Sequence, residues 1–371
     1  MVVAVGVVAL IGAAILGGAT TQLHRARPAA SPATAAPTPT DRGRLAPLRG
    51  VPLRGATGLR LLVANDPAPF LLDVDRGTVQ PVRGLPSARG RVVRVLPVGE
   101  DAVVVSERTC KDCRGAEVYR VRHRSTVATR IASARDVVAT ADGRAVWMLG
   151  DQGAGHCTLR EIWLDGRPRR APRPVPCTTQ LVAETTAGLL VTTGSSPDGA
   201  DWHGALVGPA GRLTRLPFPT PLAVAGHGHL VLGGAEPDGP LTITDLRGGA
   251  ARRLSWPSVL AGGDEARVDP DGRPVAVGFA DPAPPGGGQA LDEWLLDTAT
   301  GRWRHLPDLP ANVYLKFTST EWTADGRLVF LAQSAGHGDL VATWRPGEPR
   351  IAVRRVELPQ RSGGSDSFVV W

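Results

Sequence analysis

The sequence predicts an all-β chain in which a four-stranded unit repeats and the units close into a ring. Three observations carry that reading. A strand, tight turn, strand pattern recurs: residues 321–331 read EWTADGRLVFL, with looser copies at 137–147 (VVATADGRAVW) and 267–277 (RVDPDGRPVAV). One short hairpin repeated along a chain marks a repeat architecture. From Leu59 onward no long window shows helical periodicity, while 45 glycines and 33 prolines supply turns between short strands. Finally, the chain ends on a lone strand at 366–371 (DSFVVW), whereas the first unit lacks an opening strand.

Taken in order, residues 2–19 form an unbroken run of apolar and small residues. About 20 such residues span a bilayer as a helix, so the run is expected to be a transmembrane anchor, with a cleaved signal peptide as the alternative. No cysteine follows it to accept a lipid. No positive charge precedes it, whereas His24, Arg25 and Arg27 follow; the positive-inside rule alone would keep the domain in the cytoplasm. An extracytoplasmic domain therefore requires a translation start upstream that supplies a basic segment. Residues 20–55 are rich in proline and alanine and lack periodicity. They are expected to be a disordered, extended linker, of which residues 20–49 are removable without cost to the folded domain that follows at 56–371.

Each unit reads as strand A, tight turn, strand B, longer loop, strand C, tight turn, strand D. Unit three is the clearest, with A at 136–141, B at 144–149, C at 158–164 and D at 169–175. Unit two opens at Arg91, four at Leu181, five at Pro221, six near Ala266 and seven near Lys316. Spacings of roughly 40–50 residues suit four strands per unit. Unit one offers only B, C and D, at 59–64, 70–74 and 78–83. The C-terminal strand supplies the missing A and removes two open sheet edges. The prediction is a β-propeller of seven blades, with six or eight left open by the loose limits of unit six.

The hairpins at Asp142, Asp271 and Asp325 resemble the repeat of TolB-type, WD40-like β-propellers, with Trp322-Thr323-Ala324-Asp325-Gly326 the best match. Blades four and five depart from it, with Thr185-Thr186-Ala187-Gly188 and Gly226-His227-Gly228. The resemblance covers the domain by architecture and three units by motif. It implies the fold and leaves function open, since propellers host many activities.

The net charge is +7, but the arginines are scattered and Lys111 and Lys316 are the only lysines. A nucleic-acid surface needs clustered basic residues, so none is expected. The B–C loops are longer and chemically richer than the other turns, and all fall on one face of the ring. Loops on a rigid scaffold are where binding residues sit, so the ligand-face candidates are Asp151, His156, Asp201, Trp202, His203 and His337. Asp201 and His203 can be written as an acid–base pair, but nothing supplies a nucleophile.

The four cysteines have two readings. Cys110, Cys113, His156 and Cys157 are an incomplete zinc set. In an exported chain, disulfides Cys157–Cys177 and Cys110–Cys113 are the expectation. A redox-active Cys110-x-x-Cys113 would lack the helix N-terminus that lowers a thiol pKa. Of nine tryptophans, Trp147, Trp163, Trp294, Trp322, Trp344 and Trp371 fall on predicted strands and are expected to pack between blades.

The sequence thus points to a membrane-tethered or secreted extracytoplasmic propeller that binds an envelope protein or peptide on the B–C loop face. No cofactor or metal is called for. A propeller enzyme (hydrolase, lyase or quinone-dependent dehydrogenase) and a sensor ectodomain are the alternatives.

Overall fold

The computed structural model describes residues 46–371 apart from 66–67, 86–89, 109–114, 152–155, 196–200, 209, 217–219, 235–239, 259–264, 282–288, 335–337 and 360–366. The apolar run 2–19, Cys110, Cys113 and His337 lie outside the described residues, as do the side chains of Asp151 and His156.

Alternating apolar strands and tight turns build seven four-stranded blades. Their innermost strands are Phe368–Val370, Gly90–Val98, Asp136–Ala139, Gln180–Thr185, Thr220–Ala225, Glu265–Val268 and Ala311–Trp322. Each touches the next, and the last touches the first, which closes the ring. A β-strand presents alternate side chains to opposite faces, so each blade buries apolar residues against both neighbours. Leu62 and Val369 pack with Val92 and Val104 of blade two, while Leu61 and Phe368 pack with Val329 and Leu331 of blade seven. Trp147, Trp294, Trp322 and Trp344 are buried, as the packing expectation requires, whereas Trp163 and Trp371 are half-buried.

The tight A–B turns show why threonine, aspartate and glycine recur. Thr140 Oγ1 bonds Asp142 Oδ1 at 2.7 Å, and Thr323 Oγ1 bonds Asp325 Oδ1 at 2.5 Å. The next residues, Gly143 and Gly326, have φ of 64° and 74°, a region that costs other residues a clash at Cβ. Blade six keeps the geometry with a different donor: the Asp271 N–H bonds Asp269 Oδ1 at 2.8 Å.

The ring is closed by the C-terminal strand, as the strand order predicts. Val63, Leu62 and Leu61 pair with Phe368, Val369 and Val370. Arg60 and Trp371 exchange backbone hydrogen bonds of 3.1 and 2.8 Å. The limits of the strands move slightly: the inner strand of blade seven begins at Ala311 rather than near Lys316, because Ala311, Asn312 and Val313 pair with Leu291, Ala290 and Gln289 of blade six. Blades six and seven therefore share a nine-stranded sheet.

The expected linker boundary is corrected. Residues 46–55 belong to the propeller, not to a free tether. Val51–Pro52 runs parallel to Ala352–Val353 on the outer edge of blade seven. Leu48, 3% exposed, packs with Ile351, Leu306 and Leu309. Arg354 donates to the carbonyls of Leu53 and Gly55 at 3.1 and 2.7 Å. An edge is where a strand proline is tolerated. Removal of residues up to Arg49 would thus take a buried leucine with it.

Candidate functional site

The A–B and C–D turns gather on one face of the ring, and the B–C loops and D–A connections gather on the other. On this second face the innermost strands of blades two, three and four bring Arg94, Asp136 and Leu181 together. Asp136 and Leu181 stand at the start of their strands and Arg94 in the middle of Gly90–Val98, and the ring brings the three side by side. Asp136 accepts the N–H of Val137 at 2.8 Å and the N–H of Leu181, one blade on, at 2.6 Å. Arg94 Nη2 reaches its Oδ1 at 3.3 Å and also donates to the Val137 carbonyl. The equivalent residue of blade one, Ser367, plays the same stapling role, accepting the Val95 N–H at 2.9 Å.

Arg135 stands beside this staple. Its Nη1 donates to the Cys177 carbonyl at 2.9 Å and lies 3.3 Å from Cys157 Sγ. Cys157 and Cys177 form a disulfide with Cα atoms 4.9 Å apart. Cys157 is thereby engaged in the bridge and is not a thiolate ligand for the incomplete zinc set. The bridge fixes the connection that carries Thr179 and Gln180. Between these groups lies a cavity of about 400 Å³, lined by Arg94, Arg135, Asp136, Thr179 and Gln180. Thr179 is 2% exposed, and its hydroxyl has no hydrogen-bond partner among the described residues.

Two larger cavities, about 630 and 650 Å³, open on the opposite face. Three of their acids are matched within their own blades: Asp101 with Arg120 at 2.5 Å, Asp165 with Arg167 at 2.7 Å and Asp245 with Arg247 at 2.8 Å. The Arg247 side chain holds Asp245 down at about 2. Also on that face, between blades three and four, burial pushes the Glu161 carboxyl up while Arg170 and Arg169 oppose it.

The sequence candidates separate on inspection. Asp201 closes its own loop, accepting the Ser195 N–H at 2.7 Å and the Ser195 hydroxyl. His203 Nδ1 lies 3.1 Å from the Asp201 backbone carbonyl. The imidazole thus meets the main chain, and the acid–base pair written from sequence does not form there. Trp202 is half-buried against Gly194, where an added Cβ would stand 2.5 Å from the ring. Asp151 and His156 cap strands B and C of blade three, in the register that pairs Asp151 with Cys157 and His156 with Pro176.

Sequence reasoning missed Arg94, Arg135, Asp136 and Thr179. The signal that could have found them is a polar residue just before the apolar stretch of an innermost strand, seen at Arg94, Asp136 and Ser367 once the blades are aligned. It also missed Ser258, Asp292 and His305. The Asp292 carboxylate, 4% exposed, accepts from Ser258 Oγ at 2.7 Å and Trp294 Nε1 at 2.7 Å, with His305 Nε2 at 2.6 Å. Activating a serine requires the histidine between hydroxyl and acid. Here the acid is in the middle, and the group ties the chain around Ser258 to blade six.

No protein-family model matches the sequence, and no curated protein matches it. Solved structures do. The periplasmic gluconolactonase of Pseudomonas aeruginosa is similar over 84% of this chain and 98% of its own, with a TM-score of 0.52 and 14% identity. The acylaminoacyl peptidase of Pyrococcus horikoshii matches 85% of this chain but only 52% of its own, with a TM-score of 0.53 and 13% identity. The β-propeller domain of the Trilobed protease of Pyrococcus furiosus matches over 82% and 94%, with a TM-score of 0.51 and 13% identity. That domain has an open velcro topology, whereas this ring is closed by its C-terminal strand. At such identities the likeness is one of fold: this chain is a seven-bladed β-propeller.

Proposed function

We propose that this chain is an extracytoplasmic, membrane-tethered propeller that binds an envelope protein or peptide on its B–C loop face. The observation that carries the reading is the polar cavity there, in which Arg94 and Arg135 keep guanidinium N–H groups that have no protein partner among the described residues, while Asp165 and Asp245 on the opposite face are each paired with an arginine of their own blade. The Cys157–Cys177 bridge supports an oxidising compartment, and the apolar run 2–19 supports a tether. The affinity with TolB-type propellers is part of the same proposal and rests on the three Asp-Gly hairpins.

The test is site-specific photocrosslinking in intact cells. A photoreactive residue is placed at Gln180, beside the cavity, or at Arg247 on the opposite face. The reading expects a discrete adduct from Gln180 and none from Arg247. The reverse pattern, or equal adducts from both, contradicts it. Protease added outside spheroplasts should cut the propeller; full protection contradicts the compartment.

A propeller enzyme is the second reading, favoured by an Arg-and-Asp-lined cavity beside the ring centre. It expects turnover of a small ester or lactone that disappears in Arg94→Ala. Absence of turnover across a panel of lactones and esters counts against it.

A further inference from the structure

We propose that the cavity between blades two, three and four is a carboxylate site, which binds either a free hydroxy acid or the C-terminal carboxylate of a peptide. This rests on the B–C loop face being the binding face and names the ligand chemistry that face takes.

The charge around the cavity sets the sign of the ligand. Arg94 and Arg135 bring two guanidinium groups and Asp136 brings one carboxylate. That carboxylate is already bound by the N–H groups of Val137 and Leu181 and by Arg94, so it faces its own scaffold. Arg94 uses Nη2 on Asp136 and the Val137 carbonyl, and Arg135 uses Nη1 on Cys177 and Cys157. Nε and Nη1 of Arg94, and Nε and Nη2 of Arg135, have no protein partner among the described residues. A single negative charge balances the site, and guanidinium groups bind carboxylates through paired N–H donors.

A second observation, independent of the arginines, points the same way. Thr179 is 2% exposed and lines the cavity, yet its hydroxyl has no hydrogen-bond partner among the described residues. Buried polar groups are ordinarily paired; this hydroxyl is itself shut off from the cavity, and a rotamer change that turns it onto a ligand oxygen supplies the partner it lacks. The volume, about 400 Å³, falls within the range of small-ligand pockets, roughly 300–1,000 Å³. The site is also held in place before any ligand arrives. Asp136 staples blades three and four together, and the disulfide anchors the connection that carries Thr179. A pre-formed site loses less entropy on binding.

The experiment is titration calorimetry on the full chain in mild detergent, with three probes: gluconate, the peptide acetyl-Gly-Ala-Ala with a free C-terminus, and the same peptide as its amide. Arg135→Gln and Thr179→Val are measured beside the unaltered protein, each with a thermal melt. Thr179→Val removes a hydroxyl that bonds nothing, so its melt should not fall. The expected result is that gluconate or the peptide acid binds, that the amide does not, and that each substitution weakens binding about tenfold, the order of one charge-assisted or buried hydrogen bond. Which acid binds identifies the source of the carboxylate. The proposal is overturned if the amide binds as well as the acid, if neither acid binds, or if Thr179→Val melts normally and binds with unchanged affinity. Crosslinks from Gln180 that persist without carboxylate binding would sink this proposal alone and leave the binding face standing.

Discussion

The two ends of the folded domain both add a strand to the propeller, and they do so in opposite ways. The C-terminal strand Phe368–Val370 enters at the centre of the ring, antiparallel to Arg60–Val63. Phe368 faces the core shared with blade seven, and Val369 faces the core shared with blade two. The N-terminal strand Val51–Pro52 is added at the outer rim, parallel to blade seven, and both of its residues are exposed. The inner strand is therefore held by apolar burial on two sides. The outer one is held by backbone pairing, by Leu48 and by the hydrogen bonds of Arg354. A strand of the first kind leaves a clear mark on the sequence, an apolar run on both faces. A strand of the second kind leaves almost none.

That contrast fixes an order of effects. Deleting residues 367–371 removes Phe368 and Val369, which are 0% and 3% exposed, each worth roughly 1.5–3 kcal/mol of burial. It also bares the inner edge of Arg60–Val63. Against a domain stability of about 5–15 kcal/mol, the expected outcome is aggregation or loss of a cooperative melt, read by calorimetry and light scattering. Leu48→Ala is smaller: a buried leucine cut to alanine costs about 2–5 kcal/mol, so the melt should fall clearly while the protein stays folded. An unchanged melt would return residues 46–55 to the status of a tether.

The smallest effect is expected at a clamp between blade one and blade seven. Asp75 of blade one accepts the N–H groups of Thr57 and Gly58 at 2.8 and 2.7 Å, and Arg354 Nη1 of blade seven at 2.7 Å. Burial works to raise its pKa, but these hydrogen bonds outweigh it and bring the group down from 3.8 to about 2. A carboxyl depressed on folding stabilises the native state above its unfolded pKa and loses that contribution as the pH falls through the folded value. Stability measured by urea melts should therefore drop between about pH 4 and pH 2, and Asp75→Asn should flatten that part of the profile. An identical acid slope in the variant would show that this clamp contributes nothing.

The same physics decides how much could be read beforehand. The blade order, the Asp-Gly hairpins and the closing strand follow from apolar alternation and turn chemistry, both of which are local. The pairing of Val51–Pro52 with Ala352–Val353 is not local; it depends on an outer edge assembled by residues about three hundred positions away. The cavity has the same difficulty. Arg94, Asp136 and Thr179 come from different blades, and only the ring's register brings them together. Asp201 was prominent because it sits beside a histidine and a tryptophan in a rich loop. Its carboxylate proves to be engaged with Ser195 inside that loop. Proximity in sequence misled there, and equivalence of position between blades is the better guide.

Amide hydrogen exchange on the intact protein tests the central claim, that the ring is closed from within by the chain's last strand. Amides of residues 60–63 and 368–370 are predicted to exchange only with global unfolding, as core strands do, and those around 51–52 much faster, as an edge that opens locally does. Exchange of 368–370 at the rate of a free tail, with 60–63 exposed beside it, would contradict the closure.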